Sequence, residues 1–248
     1  MWDNFLNWAF QTSNIPSTLA SIVALTVGAA VAICSKTWKA TRFLATWVHE
    51  ASHALAAWFT GRRVEGMKIG RDTGGEVTHL GGLGRTSRII TSAAGYPGPA
   101  IAGLIIGLAV SMRHANMVAL GTLIVALALL PKQRSIIGFL TTLLIGGSVT
   151  ILILQSANPD ASDKTGVWFS VLLLLLAGFF LAATPRTIIE LRRTRHASQN
   201  VRIADAPRQH SDADILAEIT LLPASVWEII FMVLAAAAII TTLIMLMR

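Results

Sequence analysis

Charged side chains are scarce in this sequence. Asp, Glu, Lys and Arg make up 13% of its 248 residues, whereas hydrophobic residues make up 54%, and the mean hydropathy is +0.63. Soluble domains carry about 25% charged residues. The composition therefore excludes an ordinary soluble domain and places the chain in a lipid bilayer.

Cysteine is almost absent as well, and Cys34 is the single example. One cysteine cannot form an intrachain disulfide or a zinc site built on thiolates, so a bound metal would need histidine and carboxylate ligands. The segment from Met1 to Pro16 lacks a basic region and is not followed by a small-residue cleavage pattern. We therefore expect no cleavable signal peptide, and we expect the first span to remain as an anchor.

Positive charge exceeds negative charge, with 20 Lys and Arg residues against 13 Asp and Glu residues and a net charge of +7. In a membrane protein, basic residues beside the spans set the orientation or contact anionic lipid. Here they form no separate soluble module, so binding to nucleic acid is not predicted.

Long apolar runs dominate instead. A helix needs about 20 apolar residues to cross the hydrocarbon core, and seven stretches approach that length. We predict an all-α multi-pass membrane protein with six or seven transmembrane helices, folded as a single membrane-embedded domain over residues 1–248. The stretches are Ser17 to Cys34, Arg42 to Thr60, Ile89 to Met112, Asn116 to Leu130, Ser135 to Gln155, Val167 to Thr184 and Ala224 to Met247.

The distribution of Lys and Arg favours a cytoplasmic N-terminus followed by seven spans. In that arrangement three loops face the cytoplasm, Gly61 to Arg88, Pro131 to Arg134 and Pro185 to Ser211, and together they hold 14 of the 20 basic residues. A basic cluster at residues 36–42 is the exception. Because proline interrupts helices, we expect Pro185 to end the sixth span. The last cytoplasmic loop would then begin at this residue.

Between the second and third apolar runs the pattern changes. Two short alternating segments, Val64 to Ile69 and Glu76 to Leu80, flank the turn residues Asp72 to Gly75. Alternation around a glycine-containing turn predicts a β-hairpin. The glycine-rich stretch that follows, residues 81–84, is either a linker or a place where two backbones come close.

The sequence His49-Glu50-Ala51-Ser52-His53 is an H-E-x-x-H motif inside an apolar run. Residues four apart share one face of a helix, so both imidazoles can reach one metal ion while Glu50 lies beside the open coordination position. The metal would activate a water and Glu50 would take its proton as general base. Three ionisable residues in a membrane helix are costly unless they bind an ion or line a wet cavity, which favours a metal site over a chance match.

A catalytic zinc usually has three protein ligands and one water, so the motif lacks one ligand. Ser211 and Asp214 have the spacing of a capping box, which gives Asp214 a structural role and leaves Asp212 free to turn towards a metal. Glu228 is the second choice, because an acid inside a span is a functional candidate by default. Less favoured are three residues of the hairpin, Asp72, Glu76 and His79.

The third span opens with the sequence A-G-Y-P-G-P, from Ala94 to Pro99. Two prolines and two glycines leave backbone groups free and permit close helix contact. The segment is either a packing kink or a part of the wall of the active-site cleft.

These features together resemble the site-2 protease-like intramembrane zinc metallopeptidases, in a bacterial branch. The resemblance covers Arg42 to Arg248 and is strongest at H-E-A-S-H, at the hairpin, at A-G-Y-P-G-P and at the segment from Ser211 to Trp227. Better-known members place the third ligand in a Leu-Asp-Gly sequence after an Asn-Pro element, and this chain has neither around Asp212.

The resemblance implies a protease in the bacterial plasma membrane that cuts membrane proteins or peptides. It implies zinc as the cofactor, with His49, His53 and Asp212 as ligands and Glu50 as the base. It also implies that the hairpin acts as an edge strand that pairs with an unwound substrate.

Two other classes of function stay open at this stage. A transporter or channel could use the buried histidines and glutamate to carry protons or metal ions, although the sequence shows no internal repeat. A family member without activity could serve as a binding scaffold, but Glu50 is intact.

Overall fold

The computed structural model describes residues 8–72, 74–81, 84–157, 163–200 and 211–247, which form a helical bundle with one small antiparallel sheet. The predicted all-α membrane fold with a hairpin is therefore confirmed. The elements, in chain order, are α1 (Thr18–Ile33), α2 (Ser35–Phe59), β1 (Arg63–Ile69), β2 (Gly75–Leu80), α3 (Arg85–Ala93), α4 (Gly98–Ser111), α5 (Ala115–Leu129), a 3₁₀ turn (Leu130–Lys132), α6 (Ile136–Ser156), α7 (Asp163–Asn200), α8 (Asp212–Ile219) and α9 (Ala224–Leu246).

Four helices are long and apolar enough to cross a membrane, namely α5 with its 3₁₀ turn, α6, α7 and α9. Two bent pairs, α1 with α2 and α3 with α4, qualify only when each pair is taken as one span. The described residues thus provide four to six candidate spans. The seven-span arrangement is not supported, because α1 has only 16 residues and reaches span length only together with α2. Which loops face the cytoplasm stays a prediction.

The bend of 99° between α1 and α2 is held by α7. Cys34 adopts an extended conformation between the two helices, so the chain turns within one residue. The Arg186 guanidinium donates hydrogen bonds to the Ile33 carbonyl (2.7 Å) and to the Ser35 hydroxyl (3.3 Å). Arg186 thereby satisfies a carbonyl that the end of α1 leaves without a helical partner.

Helix α7 contains Pro185 and continues for 15 residues beyond it, to Asn200. The prediction that this proline ends the helix is wrong. Side chains beyond the proline bind three neighbouring helices, as Arg186 does at α1 and α2 and Arg192 does at α9. These contacts outweigh the backbone hydrogen bond that proline removes. Residues 201–210 of the predicted loop lie outside the described residues.

The predicted third span consists of two helices, α3 and α4, which meet at 68° across A-G-Y-P-G-P. Thr184 of α7 is completely buried at this break. Its hydroxyl donates to the Tyr96 carbonyl (3.0 Å) and accepts from the Ala100 amide (3.1 Å). A backbone break inside a membrane bundle needs such partners, so α7 stabilises the loop between α3 and α4.

The hairpin packs on α2 through both strands, and its fully buried side chains belong to β1. Ile69 pairs with Gly75 next to the turn, and Val64, Met67 and Ile69 of β1 are buried against α2. Met67 also forms a parallel bridge to Gln133, which follows the 3₁₀ turn. Strand β1 is therefore anchored on both sides, whereas β2 is the outer strand.

Helix α8 begins with the predicted capping box. The Ser211 hydroxyl accepts from the Asp214 amide (3.3 Å), and the Asp214 carboxylate accepts from the Ser211 amide (3.0 Å). The helix ends at Ile219, and Pro223 is the N-cap of α9. The apolar face of α8 packs between α3, α7 and α9, which brings its first residue to the centre of the bundle.

Candidate metal centre

His49 and His53 lie one turn apart on α2, and their Nε2 atoms are 3.2 Å apart. The four-residue spacing places both rings on one face of the helix. Packing fixes α2 at this point, because Ala51 is buried in the cluster with the hairpin and the Trp47 indole donates to the Thr142 hydroxyl of α6 (2.9 Å). The two imidazoles are therefore carried by a well-anchored turn.

Asp212 is the first residue of α8, and it completes a three-residue group. Its Oδ2 atom lies 3.1 Å from His49 Nε2 and 3.2 Å from His53 Nε2. The three atoms thus form a nearly equilateral triangle. Three corners of a tetrahedron with metal–ligand bonds of about 2.0–2.1 Å are about 3.3 Å apart. The separations fit three ligands of a single tetrahedral ion.

The triangle consists of acceptor atoms. His53 Nδ1 donates to the Thr91 carbonyl (2.7 Å), so that Nε2 of the neutral ring presents a lone pair. Asp212 Oδ2 is buried and receives no well-formed hydrogen bond within the described residues. Such a donor set fits a cation, whose charge offsets the repulsion between the lone pairs.

The backbone between α3 and α4 forms one wall of this triangle. A Cβ atom on Gly95 would lie within 3 Å of a ligand atom of each of His49, His53 and Asp212. The neighbouring Tyr96 packs edge-on against the His49 ring, with centroids 5.0 Å apart. Glycine at position 95 therefore leaves open the space beside the three ligand atoms, and Tyr96 restrains one imidazole.

Glu50 lies next to the triangle and is only 3% exposed. Its Oε1 atom is 4.0 Å from His49 Nε2, which is too far for a hydrogen bond. Gly75, the first residue of β2, covers this carboxylate so closely that a Cβ atom there would overlap it. The start of β2 thus lies directly over the Glu50 side chain.

The other acidic candidates of α8 and α9 are engaged elsewhere. Glu228 pairs with Arg192 (2.8 Å) and with Arg195, and Asp214 pairs with Arg195 (2.6 Å) as well as with its capping partner. Partial burial raises the pKa of Asp214, and hydrogen bonds from Ser211 and Arg195 lower it more. The three hairpin candidates do not belong to the group of possible ligands found among the described residues. They are Asp72, Glu76 and His79.

Three contributors to the site were missed by sequence reasoning. Thr91 acts through its backbone carbonyl, for which its side chain gives no signal. Gly75 was assigned only to a turn, and Gly95 only to a segment that breaks a helix. The A-G-Y-P-G-P composition was the one signal that pointed near the site.

Fold and site together define a class of protein. It is a multi-pass membrane protein in which an H-E-x-x-H helix and a carboxylate from a second helix converge on one candidate metal position. The chain belongs to the Peptidase M50B-like family, whose model matches residues 21–242. It is thus a membrane metallopeptidase by family, which confirms the resemblance drawn from the sequence. The comparisons with curated proteins and with solved structures found no match.

Proposed function

We propose that the protein hydrolyses peptide bonds of membrane-associated substrates with a zinc-activated water. In this proposal His49, His53 and Asp212 are the zinc ligands and Glu50 is the general base. One observation carries it: three acceptor atoms converge at 3.1–3.2 Å beside a buried carboxylate that is not one of them. Three protein ligands leave one position of a tetrahedral site for water.

Zinc suits this donor set best among the common ions. Two imidazoles with one carboxylate are typical of catalytic zinc, whereas magnesium and calcium prefer oxygen ligands alone. When bound, zinc lowers the pKa of its water towards about 7 and polarises the substrate carbonyl.

The remaining steps fall to the residues of the chain. The Glu50 carboxylate accepts a proton from the attacking water, and the resulting acid can donate it to the nitrogen of the leaving amine. The Thr91 carbonyl holds His53 in the tautomer that leaves Nε2 free. Gly95 keeps side-chain atoms out of the space where a substrate carbonyl would have to approach.

Strand β2 is the element best placed to bind a substrate. Its residues alternate between exposed and half-buried, and among the described residues it pairs with β1 alone. An extended peptide can add to such an edge through backbone hydrogen bonds. Because β2 begins at Gly75 over Glu50, a peptide along this edge would run towards the base. We therefore propose membrane proteins or peptides with an unwound segment as substrates. The resemblance to the bacterial branch of the family leads us to propose a bacterial plasma membrane as the location.

The alternatives are less well supported. A transporter would also contain buried histidines and acids, but the family is one of peptidases. In a member without activity we would expect the base or a ligand to be lost, and His49, Glu50, His53 and Asp212 are all present. Peptide hydrolysis is the function that this site supports best.

Metal analysis and a cleavage assay in detergent test the proposal. Wild-type protein should hold about one zinc per chain and cut a model single-span substrate, with cleavage lost on chelation and restored by zinc. Glu50→Gln should retain zinc and the fold but lose cleavage. Cleavage at the wild-type rate by this variant would refute the mechanism. Zinc-loaded wild type that cuts no member of a panel of single-span substrates would indicate an inactive relative.

A further inference from the structure

Five charged or polar residues form an ionic cluster beside the candidate metal centre, and the proposed chemistry does not use them. We call this group the Arg195 cluster; it consists of Arg192 and Arg195 of α7, Glu228 of α9, and Ser211 and Asp214 at the start of α8. The Glu228 side chain is only 4% exposed, although it lies in a helix apolar enough to span a membrane. Burying a carboxylate is costly unless it is well paired, and here two arginines of α7 pair with it.

The Arg195 guanidinium is the bridge between the helices. On one side its Nη2 atom donates to the Ser211 hydroxyl (2.8 Å) and to the Asp214 carboxylate (2.6 Å). On the other side its Nη1 atom donates to the Glu228 carboxylate, whose second oxygen accepts from Arg192 (2.8 Å). The planar, rigid fork of arginine can hold both sides at once. Arg195 thus ties the N-cap of α8 to α9.

Helix α8 needs such a tie. It has eight residues, and helices this short are unstable without tertiary contacts. Asp212 is its first helical residue, and the terminal residues of a helix fray most readily. The capping box joins Ser211 to Asp214 within α8 itself, so it does not fix the helix relative to α2. Arg195 supplies a connection from this cap to the rest of the bundle.

We propose that Arg195 is a positioning residue for the zinc site. By fastening Ser211 and Asp214 to Glu228, it holds the Asp212 carboxylate against the two imidazoles of α2. The inference rests on the proposed function, because it takes Asp212 as a zinc ligand. A guanidinium carries no free lone pair for a metal, so Arg195 acts through the placement of α8.

Zinc affinity of the purified full-length protein tests this role. Competition with a chromogenic chelator, well below the unfolding temperature, gives the zinc Kd of wild type, Arg195→Ala, Arg195→Lys and Arg193→Ala. Loss of a group that orients a ligand typically weakens metal affinity by about 10- to 100-fold, and we expect this for Arg195→Ala. Arg195→Lys should fall in between, because a single ammonium cannot reproduce the fork. Arg193→Ala, which removes the same charge from an exposed position of α7, should bind zinc as wild type does.

Thermal unfolding of the zinc-free proteins separates positioning from general stabilisation. If Arg195→Ala lowers the unfolding temperature but keeps the wild-type zinc Kd, the inference is overturned while the zinc site stands. If Arg195→Ala does not fold, Arg195→Lys decides: a weaker zinc affinity supports the inference, and a wild-type affinity overturns it. A wild-type protein that binds no zinc would overturn the proposed function together with the inference.

Discussion

The two helices that meet at the candidate metal centre differ in almost every respect. Helix α2 has 25 residues and carries His49, Glu50 and His53 within little more than one turn, packed against the hairpin and α6. Helix α8 has eight residues and contributes Asp212 from its first position, held by a cap and by three other helices. One part of the site is specified by local spacing and the other by tertiary structure. Changes on α2 should therefore remove the site, and changes around α8 should weaken it by degrees.

Removal of either imidazole should have the largest effect. His49→Ala or His53→Ala leaves at most two protein ligands, so we expect zinc content to fall from about one per chain to near zero and cleavage to stop. The measurement is metal content after purification, with the cleavage assay beside it. His79→Ala, which removes a histidine of β2 outside the three-residue group, should keep its zinc. Stoichiometric zinc in a His49→Ala, His53→Ala double variant would rule out this site.

Removal of the carboxylate on α8 should come next. In Asp212→Ala the two imidazoles remain on a rigid helix, so weak zinc binding persists, but the affinity should fall by more than the roughly 10- to 100-fold typical of a lost orienting group. Cleavage should be abolished while the protein still inserts into membranes. Zinc titration and the cleavage assay measure the two effects, and full cleavage by Asp212→Ala would contradict the assignment of the third ligand.

The same contrast governs what the sequence could predict. The H-E-x-x-H motif, the hairpin and the capping box depend on neighbours within a few residues, and the structure has all three. For the third ligand the sequence provided only a short list of acids, because Asp212 lies more than 150 residues from the histidines along the chain. Its selection came from the capping role of Asp214 and from the family resemblance.

Tertiary contacts also explain features of the fold that the sequence pattern did not show. Pro185 was expected to end a helix, but contacts from Arg186 and Arg192 hold the helix beyond it. The third apolar run contains a sharp break between α3 and α4, and the Thr184 hydroxyl binds backbone groups that this break leaves free. Hydropathy reports how much of a helix is apolar, and it does not report which neighbour supplies a missing hydrogen bond.

A substitution at a position that is not a ligand should show what the backbone wall between α3 and α4 contributes to zinc binding. Gly95→Ala places a methyl group within 3 Å of all three ligand residues, and metal–ligand distances tolerate only about 0.2 Å. We expect zinc affinity to fall by about tenfold or more, and the zinc-free protein to unfold at a somewhat lower temperature because the three side chains must move aside. The matched control is Gly147→Ala on α6, where an added Cβ atom would lie within 4 Å of no other element among the described residues. Equal zinc affinity in both variants would show that this wall does not confine the metal position.

The smallest effect should come from Asp214, two residues from the proposed ligand and on the same helix. Asp214→Asn keeps one side-chain oxygen but loses the charge that pairs with Arg195 and strengthens the capping box. The free energy of unfolding should therefore fall by about 0.5–2 kcal/mol, the usual range for a helix cap. At saturating zinc the variant should still hold one zinc per chain, and its zinc Kd should change less than that of Asp212→Ala.

Asp212→Ala and Asp214→Asn thus form a pair in which one acid binds metal and the other caps the helix. Equilibrium denaturation in mixed micelles gives the loss of stability, and zinc titration gives the loss of affinity. The assignment requires opposite patterns: Asp214→Asn should lose stability and keep zinc, and Asp212→Ala should lose zinc affinity. If Asp214→Asn emptied the site at saturating zinc while Asp212→Ala retained it, the roles of the two acids would have to be exchanged. The Asp214 carboxylate would then both cap α8 and bind the metal.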